Sequence, residues 1–485
     1  MINMFNDIFQ MRNNPSDIQD SLFLILLIGM TFIIVFAFCW QPGYLDGDSL
    51  GYAQTAKWVA DSGRWLAIKD SSWGGQFYYH FPLAIWVSAL SFKIFGVNVV
   101  SASLFSLLSC LGAVIAIFYF GKIIKNNWVG FFASVVFLLI NYTPRLAQQC
   151  RMDMPLTLFI ILSLYFFILA VRGKKTFYLL FGLFTSLAIM TKDVNGLAPL
   201  AIACIYLLIS RQFKKLIDPY FLFGFVISFI PVLLWIWLEK HIYGETLFAK
   251  WLNWNFLHLL RHKELAAPFY YYPREIIKRY FYFVPIFVHG AFLAIRQAKT
   301  RESDQPLLIL TWAVFIPFAF SFGNRKLHYF IYSMYPAAAL LAGIALNELC
   351  KQKIKLRILK IFIVGLIFLG LLRLSIPVRW GKTFFMDKVQ VAAYIDSLLQ
   401  EEQHYDFFTF NQHDAALIIY SQELDNITHI KDYESLKNLL ENKASVNKRF
   451  CLINKVDFNS LSASIKNGWH ILLILNEEIL IANRL

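Results

Sequence analysis

Apolar runs of bilayer length recur along this chain, and they leave few folds open. Read by hydropathy they fall at about 21–40, 98–121, 128–142, 152–171, 177–191, 195–210, 219–238, 279–296, 306–322, 329–349 and 357–375. A hydrocarbon core ~30 Å thick takes ~20 apolar residues per helix, and lipid offers the backbone no hydrogen-bond partner, so the runs predict helices. About eleven spans are expected, with 128–142 and 177–191 the short ones. Composition agrees: 58% of the residues are hydrophobic and 16% charged, against ~45–50% and ~25% in soluble domains. The first run, Ser21 to Trp40, shows no small-residue cleavage site near its end and reads as a retained helix.

A net charge of +14 in a soluble protein would point to nucleic acid. Here the bases sit in alternate short loops: Lys122 and Lys125; Arg172, Lys174 and Lys175; Arg211, Lys214 and Lys215; Arg296, Lys299 and Arg301; and Lys351 to Lys360. All fall on one side, which the positive-inside rule makes cytoplasmic, so no nucleic-acid partner is needed. The long loops 41–97 and 239–278, and everything after about 376, are then expected to face outward. The six cysteines show no CxxC and no repeated spacing, which gives no zinc framework. Cys39 and Cys150 both lie at outer ends of spans, and whether they pair stays open.

The most informative polar stretch runs from Tyr44 to Pro82, longer than a spacer between two spans requires. It carries Asp46 and Asp48 around Gly47, then a helical stripe (Leu50, Ala53, Ala56 or Lys57, and Ala60) with Tyr52, Trp58 and Trp65 nearby, and ends in His80-Phe81-Pro82. That pattern predicts a helix lying at the membrane interface with Trp anchors, followed by a second such segment over 83–95.

Other outer turns add charge. Arg145 precedes Arg151-Met152-Asp153-Met154-Pro155, where Asp153 reads either as a helix cap or as a site carboxylate. Lys192 lies in a turn, Met190 to Gly196, with almost no spare chain; it either snorkels to the headgroups or faces a site. The 239–278 segment holds His258, Arg261 and His262, whose i, i+4 histidines lack a matching carboxylate for a metal site. The last outer turn carries Arg325, Lys326, His328 and Tyr329. Residues 385–485 hold 14 acidic against 9 basic residues, and short strand-like runs at 406–410, 426–430, 449–454, 469–475 and 479–483 predict a small α/β domain.

Carboxylates beside a cluster of cations at a membrane surface suit transfer from a lipid phosphate. The cations hold the phosphate and stabilise the charge it gains on leaving, while a carboxylate takes a proton from the attacking hydroxyl. Asp46-Gly47-Asp48 also matches the three-residue DxD of nucleotide-sugar transferases, although nucleotide sugars are not expected outside the membrane. Several motifs in order then carry a family resemblance: Asp48-SLGYAQTAKWVADSGRW to residue 65, YYHFPLAIW to 86, RMDMPL at 151–156, MTKDVNGL at 190–197, FYYYP at 269–273 and KLHYFIYSMYPAAALLAG at 326–343. The chain resembles the polytopic GT-C glycosyltransferases that use polyprenyl-phosphate sugars, especially the lipid A aminoarabinose transferases and protein O-mannosyltransferases.

The resemblance implies an all-α polytopic membrane domain over 1–380, with a catalytic first outer loop at 41–97, and a soluble extracytoplasmic domain over 381–485. It implies a polyprenyl-phosphate-linked sugar as donor and a lipid A, glycolipid, surface glycan or protein acceptor, with Asp48 and Asp153 catalytic. Of the donor-phosphate candidates the resemblance carries Lys192, Lys326 and Tyr329; Arg145, Arg151, Arg325 and His328 join them as bases that the topology places on the outer face, with Asp46, Tyr52, His80, His258 and Arg261 as further candidates. A divalent metal stays open. The chain departs from the family in carrying Ser49 where an acidic residue is common, and His80-Phe81-Pro82 where Glu-Lys-Pro or Lys-Pro ends the loop. A transporter or flippase and a non-catalytic membrane scaffold are the competing classes. The charges gather at helix ends and no inverted repeat is visible, which favours the transferase.

Overall fold

The computed structural model describes residues 15–36, 45–66, 68–70, 75–76, 80–244, 247–252, 267–281, 283–300, 304–323, 326–350, 353–361, 364–365, 386–399, 405–410, 415–421, 424, 427–430, 432–441, 447–475 and 478–483. The chain forms two compact units. One comprises Met1–Phe38, Gln76–Ala84 and Ser103–Trp380; the other comprises Cys39–Gly75, Ile85–Ala102 and Gly381–Leu485.

The first unit is helical. In chain order its main helices are α1 (Pro15–Thr31), α2 (Val99–Ile124, whose first turn belongs to the other unit), α3 (Asn127–Leu139), α4 (Tyr142–Ala147), α5 (Asp153–Val171) and α6 (Phe177–Lys192). They continue as α7 (Ala198–Ile209), α8 (Pro219–Ile227), α9 (Ile230–Tyr243), α10 (Tyr271–Tyr280), α11 (Val284–Lys299), α12 (Gln305–Ser321) and α13 (Tyr335–Leu349). Among the described residues, five stretches are long and apolar enough to cross a membrane: Ile18–Phe36, Val99–Ile124, Asp153–Val171, Phe177–Ile209 and Pro219–Ile242. Helices α10 and α11, bent by 117° at their junction, make a sixth if they count as one span.

Phe177–Ile209 is not one rod. In a straight helix Tyr178 and Tyr206 would lie ~42 Å apart, yet their rings sit 6.0 and 5.8 Å from the single ring of Phe167. The chain therefore reverses, through a 3₁₀ turn at Asp193–Leu197. Gly196 permits the reversal, because a Cβ there would lie 2.2 Å from the backbone nitrogen of Ile189. The separate apolar runs at 177–191 and 195–210 are accordingly two helices, α6 and α7.

Packing within this unit follows membrane rules, in which small residues allow close approach and rings fill the gaps. A Cβ on Gly182 of α6 would fall 2.0 Å from the carbonyl oxygen of Gly224 in α8, so these helices meet backbone to backbone. Phe23 of α1 packs against Phe118, Trp128 and Phe131 at 6.3, 4.9 and 4.5 Å. Buried Trp312 of α12 donates its indole N–H to the carbonyl of Ser333 at 2.9 Å, which fixes the turn leading into α13.

In the second unit, Asp46 caps the helix Gly47–Ser62: its carboxylate accepts from the Ser49 N–H at 3.0 Å and from the Ser49 hydroxyl at 2.7 Å. Gly63, at φ 66°, ends the helix by returning its N–H to Val59. Leu50, Ala53, Ala56 and Val59 are buried, and the helix packs on Ala415–Tyr420. The stripe expected to rest on the membrane interface is therefore protein-covered, which the small alanines favour by allowing close helix approach.

Among the described residues its C-terminal part carries a five-stranded sheet of β1 (Tyr405–Phe410), β2 (Thr428–Ile430), β3 (Lys448–Asn454), β4 (His470–Ile474) and β5 (Glu478–Ala482). Their order is β2-β1-β3-β5-β4, with β1 parallel to β2 and β3, and β5 antiparallel to β3 and β4. Strand alternation sorts the core into two layers. Cys451 and Ile453 of β3 join Leu436, Leu440 and Trp469 on one face, while Phe450 and Leu452 join Val391, Ile395 and Leu417 on the other.

Candidate functional site

Within the first unit the site is built on the start of α5. Ser103 and Ser106 of α2 donate to the carbonyls of Gln148 and Arg151, each at 2.9 Å, and so hold the turn that leads into Asp153. The Asp153 carboxylate does not cap its own helix. One oxygen accepts from the Lys192 ammonium at 2.6 Å and the other from the Arg151 Nε at 3.3 Å. All three side chains are less than 10% exposed. Buried charges are tolerated only when paired, since each costs several kcal/mol to dehydrate. Two cations on one carboxylate leave an excess positive charge, which favours an incoming anion. The excess is softened by rings: the Arg151 guanidinium lies 4.6 Å from the centre of Tyr329, and the Lys192 ammonium 5.9 Å from that of Phe330.

Lys192 ends α6, and its neighbour Asp193 adopts φ 49°, ψ −126°. A residue with a Cβ in such a region costs of order 1–3 kcal/mol, so other contacts must hold it there. Those contacts come from the end of the long polar loop. The His80 Nδ1 lies 2.7 Å from one Asp193 oxygen, and the Phe81 N–H donates to the other at 2.8 Å. An ionised carboxylate only accepts, which puts the proton on Nδ1. Phe81 is buried, stacked on Trp251 at 5.0 Å and edge-on to Trp235 at 5.4 Å. Asp193 does not stand out among the candidates in the sequence. A carboxylate in the short link between two apolar runs was the available signal, because a charge buried there needs a partner.

Lys326 is buried and donates to the carbonyl of Ala267 at 2.6 Å. His328 departs from its expected role as a cation. Burial first, then Arg279, push its imidazole down to about 4, with Glu275 opposing, so it is neutral at pH 7. It hydrogen-bonds Tyr142, whose ring also has Arg145 at 5.6 Å and Arg279 at 5.7 Å; Arg279 pairs with Glu275 at 2.8 Å. Arg145 thus sits with Tyr142 and not on Asp153.

Arg325, His258 and Arg261 lie outside the described residues. Asp46, Asp48 and Tyr52 belong to the second unit, where Asp46 is the helix cap, Asp48 is exposed in the first helical turn and Tyr52 is half-buried one turn on. Among the described residues no group of three or more His, Cys, Asp or Glu side chains could hold a metal ion.

A chain reversal at a buried Lys-Asp turn, facing a buried Arg-x-Asp, invites comparison with known proteins. The family model described as dolichyl-phosphate-mannose-protein mannosyltransferase matches residues 79–237. An undecaprenyl phosphate-alpha-4-amino-4-deoxy-L-arabinose arabinosyl transferase from Enterobacter sp. (strain 638) is 26% identical over 340 residues, 66% of this chain and 58% of that protein. The crystal structure of ArnT from Cupriavidus metallidurans in the apo state superposes with a TM-score of 0.74 at 16% identity, covering 97% of this chain and 99% of that one. The fold is that of ArnT. The same protein bound to undecaprenyl phosphate gives a TM-score of 0.70 at 16% identity, over 96% and 98% of the two chains. The chain is thus a multi-pass helical membrane protein of the GT-C type, similar in sequence to the aminoarabinose transferases.

Proposed function

We propose that this protein is a membrane-bound glycosyltransferase that moves a sugar from a polyprenyl phosphate to an acceptor at the membrane surface. The observation that carries the reading is the buried Asp153 held between Lys192 and Arg151, a cationic pocket at a helix end in a chain with the ArnT fold. Lys192 and Arg151 grip the donor phosphate, with Lys326 and Tyr329 completing its surroundings, while Asp153 keeps the two cations in place. Asp48, assigned from its sequence motif, accepts the proton of the attacking acceptor hydroxyl. The acceptor oxygen forms a bond to the anomeric carbon as the bond to phosphate breaks. The electron pair leaves on the polyprenyl phosphate, and the anomeric configuration inverts.

The finer topology goes with this reading. About eleven spans carry the chain across a bacterial inner membrane, with the basic loops inside. The transferase domain is assigned to 1–380 from the sequence, and 381–485 to an extracytoplasmic domain that contributes to acceptor choice, although Cys39–Gly75 and Ile85–Ala102 belong to the same compact unit as the latter. The acceptor is lipid A, another glycolipid, a surface glycan or protein. Mass spectrometry of lipids and surface glycans from cells with and without the gene tests the proposal. One sugar mass should vanish from one acceptor and return with the wild type but not with Asp48→Asn. An unchanged profile would end the transferase reading.

A further inference from the structure

We propose that the helix at 353–361 is a binding site for anionic phospholipid, whose headgroups, in the leaflet on the side of the basic loops, settle on a stripe of Lys353, Arg357 and Lys360. The site holds whether or not the protein transfers a sugar, since it uses none of the residues assigned to that reaction. At ~100° per residue the three bases fall within ~60° of one another around the helix axis. All three are exposed. Ile354 and Ile361 flank the stripe on one side and Leu356 on the other, 46%, 65% and 48% exposed. Lys355 points the opposite way. It donates to Asn347 of α13 at 2.8 Å and stands 5.9 Å from the ring centre of Trp128 in α3. One face of the helix is thus docked on its neighbours, and the basic stripe is turned outward.

Charge and polarity together identify the ligand. The chain has no acidic residue between Glu348 and Asp387, while Lys351, Lys353, Lys355, Arg357 and Lys360 crowd the start of that stretch. Glu348 is taken by Lys125 at 3.1 Å. Among the described residues no carboxylate pairs with Lys353, Arg357 or Lys360. Water would satisfy these charges but not the exposed aliphatic side chains between them, and hydrocarbon would do the reverse. At headgroup depth both are satisfied: lipid phosphates meet the bases, and Ile354, Leu356 and Ile361 enter the acyl boundary. An apolar hollow lined by Lys360, Ile361, Val364 and Gly365 then offers an acyl chain a place beside the charge. It is open at the glycine, where a Cβ would meet no atom within 4 Å.

The test places the full-length protein in mixed nanodiscs of phosphatidylcholine and phosphatidylglycerol and counts the lipids it retains by native mass spectrometry. Wild type should retain phosphatidylglycerol in preference to phosphatidylcholine, and less so as salt is raised. A base near an anionic surface is worth roughly 5-fold, so Lys353→Gln/Arg357→Gln/Lys360→Gln should lose at least ~10-fold of the preference. Lys353→Arg/Lys360→Arg keeps the charge and should keep the preference. Undecaprenyl phosphate added to the same discs should be retained by the triple variant as by wild type. A wild type without preference, an unchanged triple variant, or an equal loss in the arginine variant would each overturn the inference. A triple variant that loses undecaprenyl phosphate as fully as phosphatidylglycerol would assign the stripe to that lipid instead, and overturn it too. Should the triple variant not fold, Lys353→Gln, Arg357→Gln and Lys360→Gln decide singly, and a preference unchanged in all three overturns the site.

Discussion

Replacing Lys192 by Met tests the charge pocket directly. The lysine is 7% exposed and its ammonium sits 2.6 Å from Asp153, so the change keeps a long side chain and removes a buried charge. At an effective dielectric near 20, a contact pair of unit charges is worth roughly 4–5 kcal/mol. Removing one partner from a buried pair typically costs 3–5 kcal/mol, because the other charge is left without compensation. Arg151 remains 3.3 Å from the other Asp153 oxygen and covers part of that loss. Lys192→Met should therefore destabilise the protein by about 2–3 kcal/mol. In Asp153→Asn/Lys192→Met the loss should fall short of the sum of the two single losses by at least ~1 kcal/mol in a double-mutant cycle; the cost of leaving Arg151 without its carboxylate is common to both variants that lack Asp153 and cancels in the cycle. Transfer should stay at least ~100-fold down in both variants, because the phosphate has lost a cation. Reversible unfolding in mixed micelles reads the stability, and mass spectrometry of the glycosylated acceptor reads the turnover. Lys192→Met within about 0.5 kcal/mol of wild type, or fully additive losses in the double variant, would refute the argument.

The two acidic residues at the start of the 47–62 helix should behave differently. Asp48→Asn is expected to fold normally and lose at least ~100-fold in transfer rate. Asp46→Asn should leave both turnover and stability near wild type, and Asp46→Ala should cost about 1 kcal/mol in unfolding experiments, as for a lost cap. Since the His328 imidazole lies below its unfolded value, at about 4, only the unfolded chain takes up the proton first on acidification. Stability from this residue is complete above about pH 6.5 and declines as the pH falls toward 4. Unfolding midpoints across that window should drop for wild type and be flatter for His328→Phe. Gly182→Ala would set a methyl 2.0 Å from the Gly224 carbonyl oxygen; the shift it forces should cost about 1–3 kcal/mol, read from the unfolding midpoint.

Much of this protein was legible from one dimension. The membrane class follows from run length, since a helix is the only local structure that satisfies an apolar segment's backbone in lipid. The strands of the second unit also came through: 449–454 was expected and Lys448–Asn454 observed, because a β-branched and aromatic run bounded by polar residues has a local signature. Asp153 and Lys192 were visible as charges at span ends, where an ionisable group is costly enough to need a reason.

Partners that lie far apart in the chain were not legible. Asp153 meets Lys192 across 39 residues, and His80 meets Asp193 across 113, and neither pairing has a periodicity that could announce it. Sequence fixes which groups carry charge. Only tertiary packing decides which charge neutralises which, and it turned Asp153 from a cap into a shared anion and Asp193 from a loop residue into a clamp. It also made His328 neutral, because burial and neighbouring guanidiniums act through space and not along the chain.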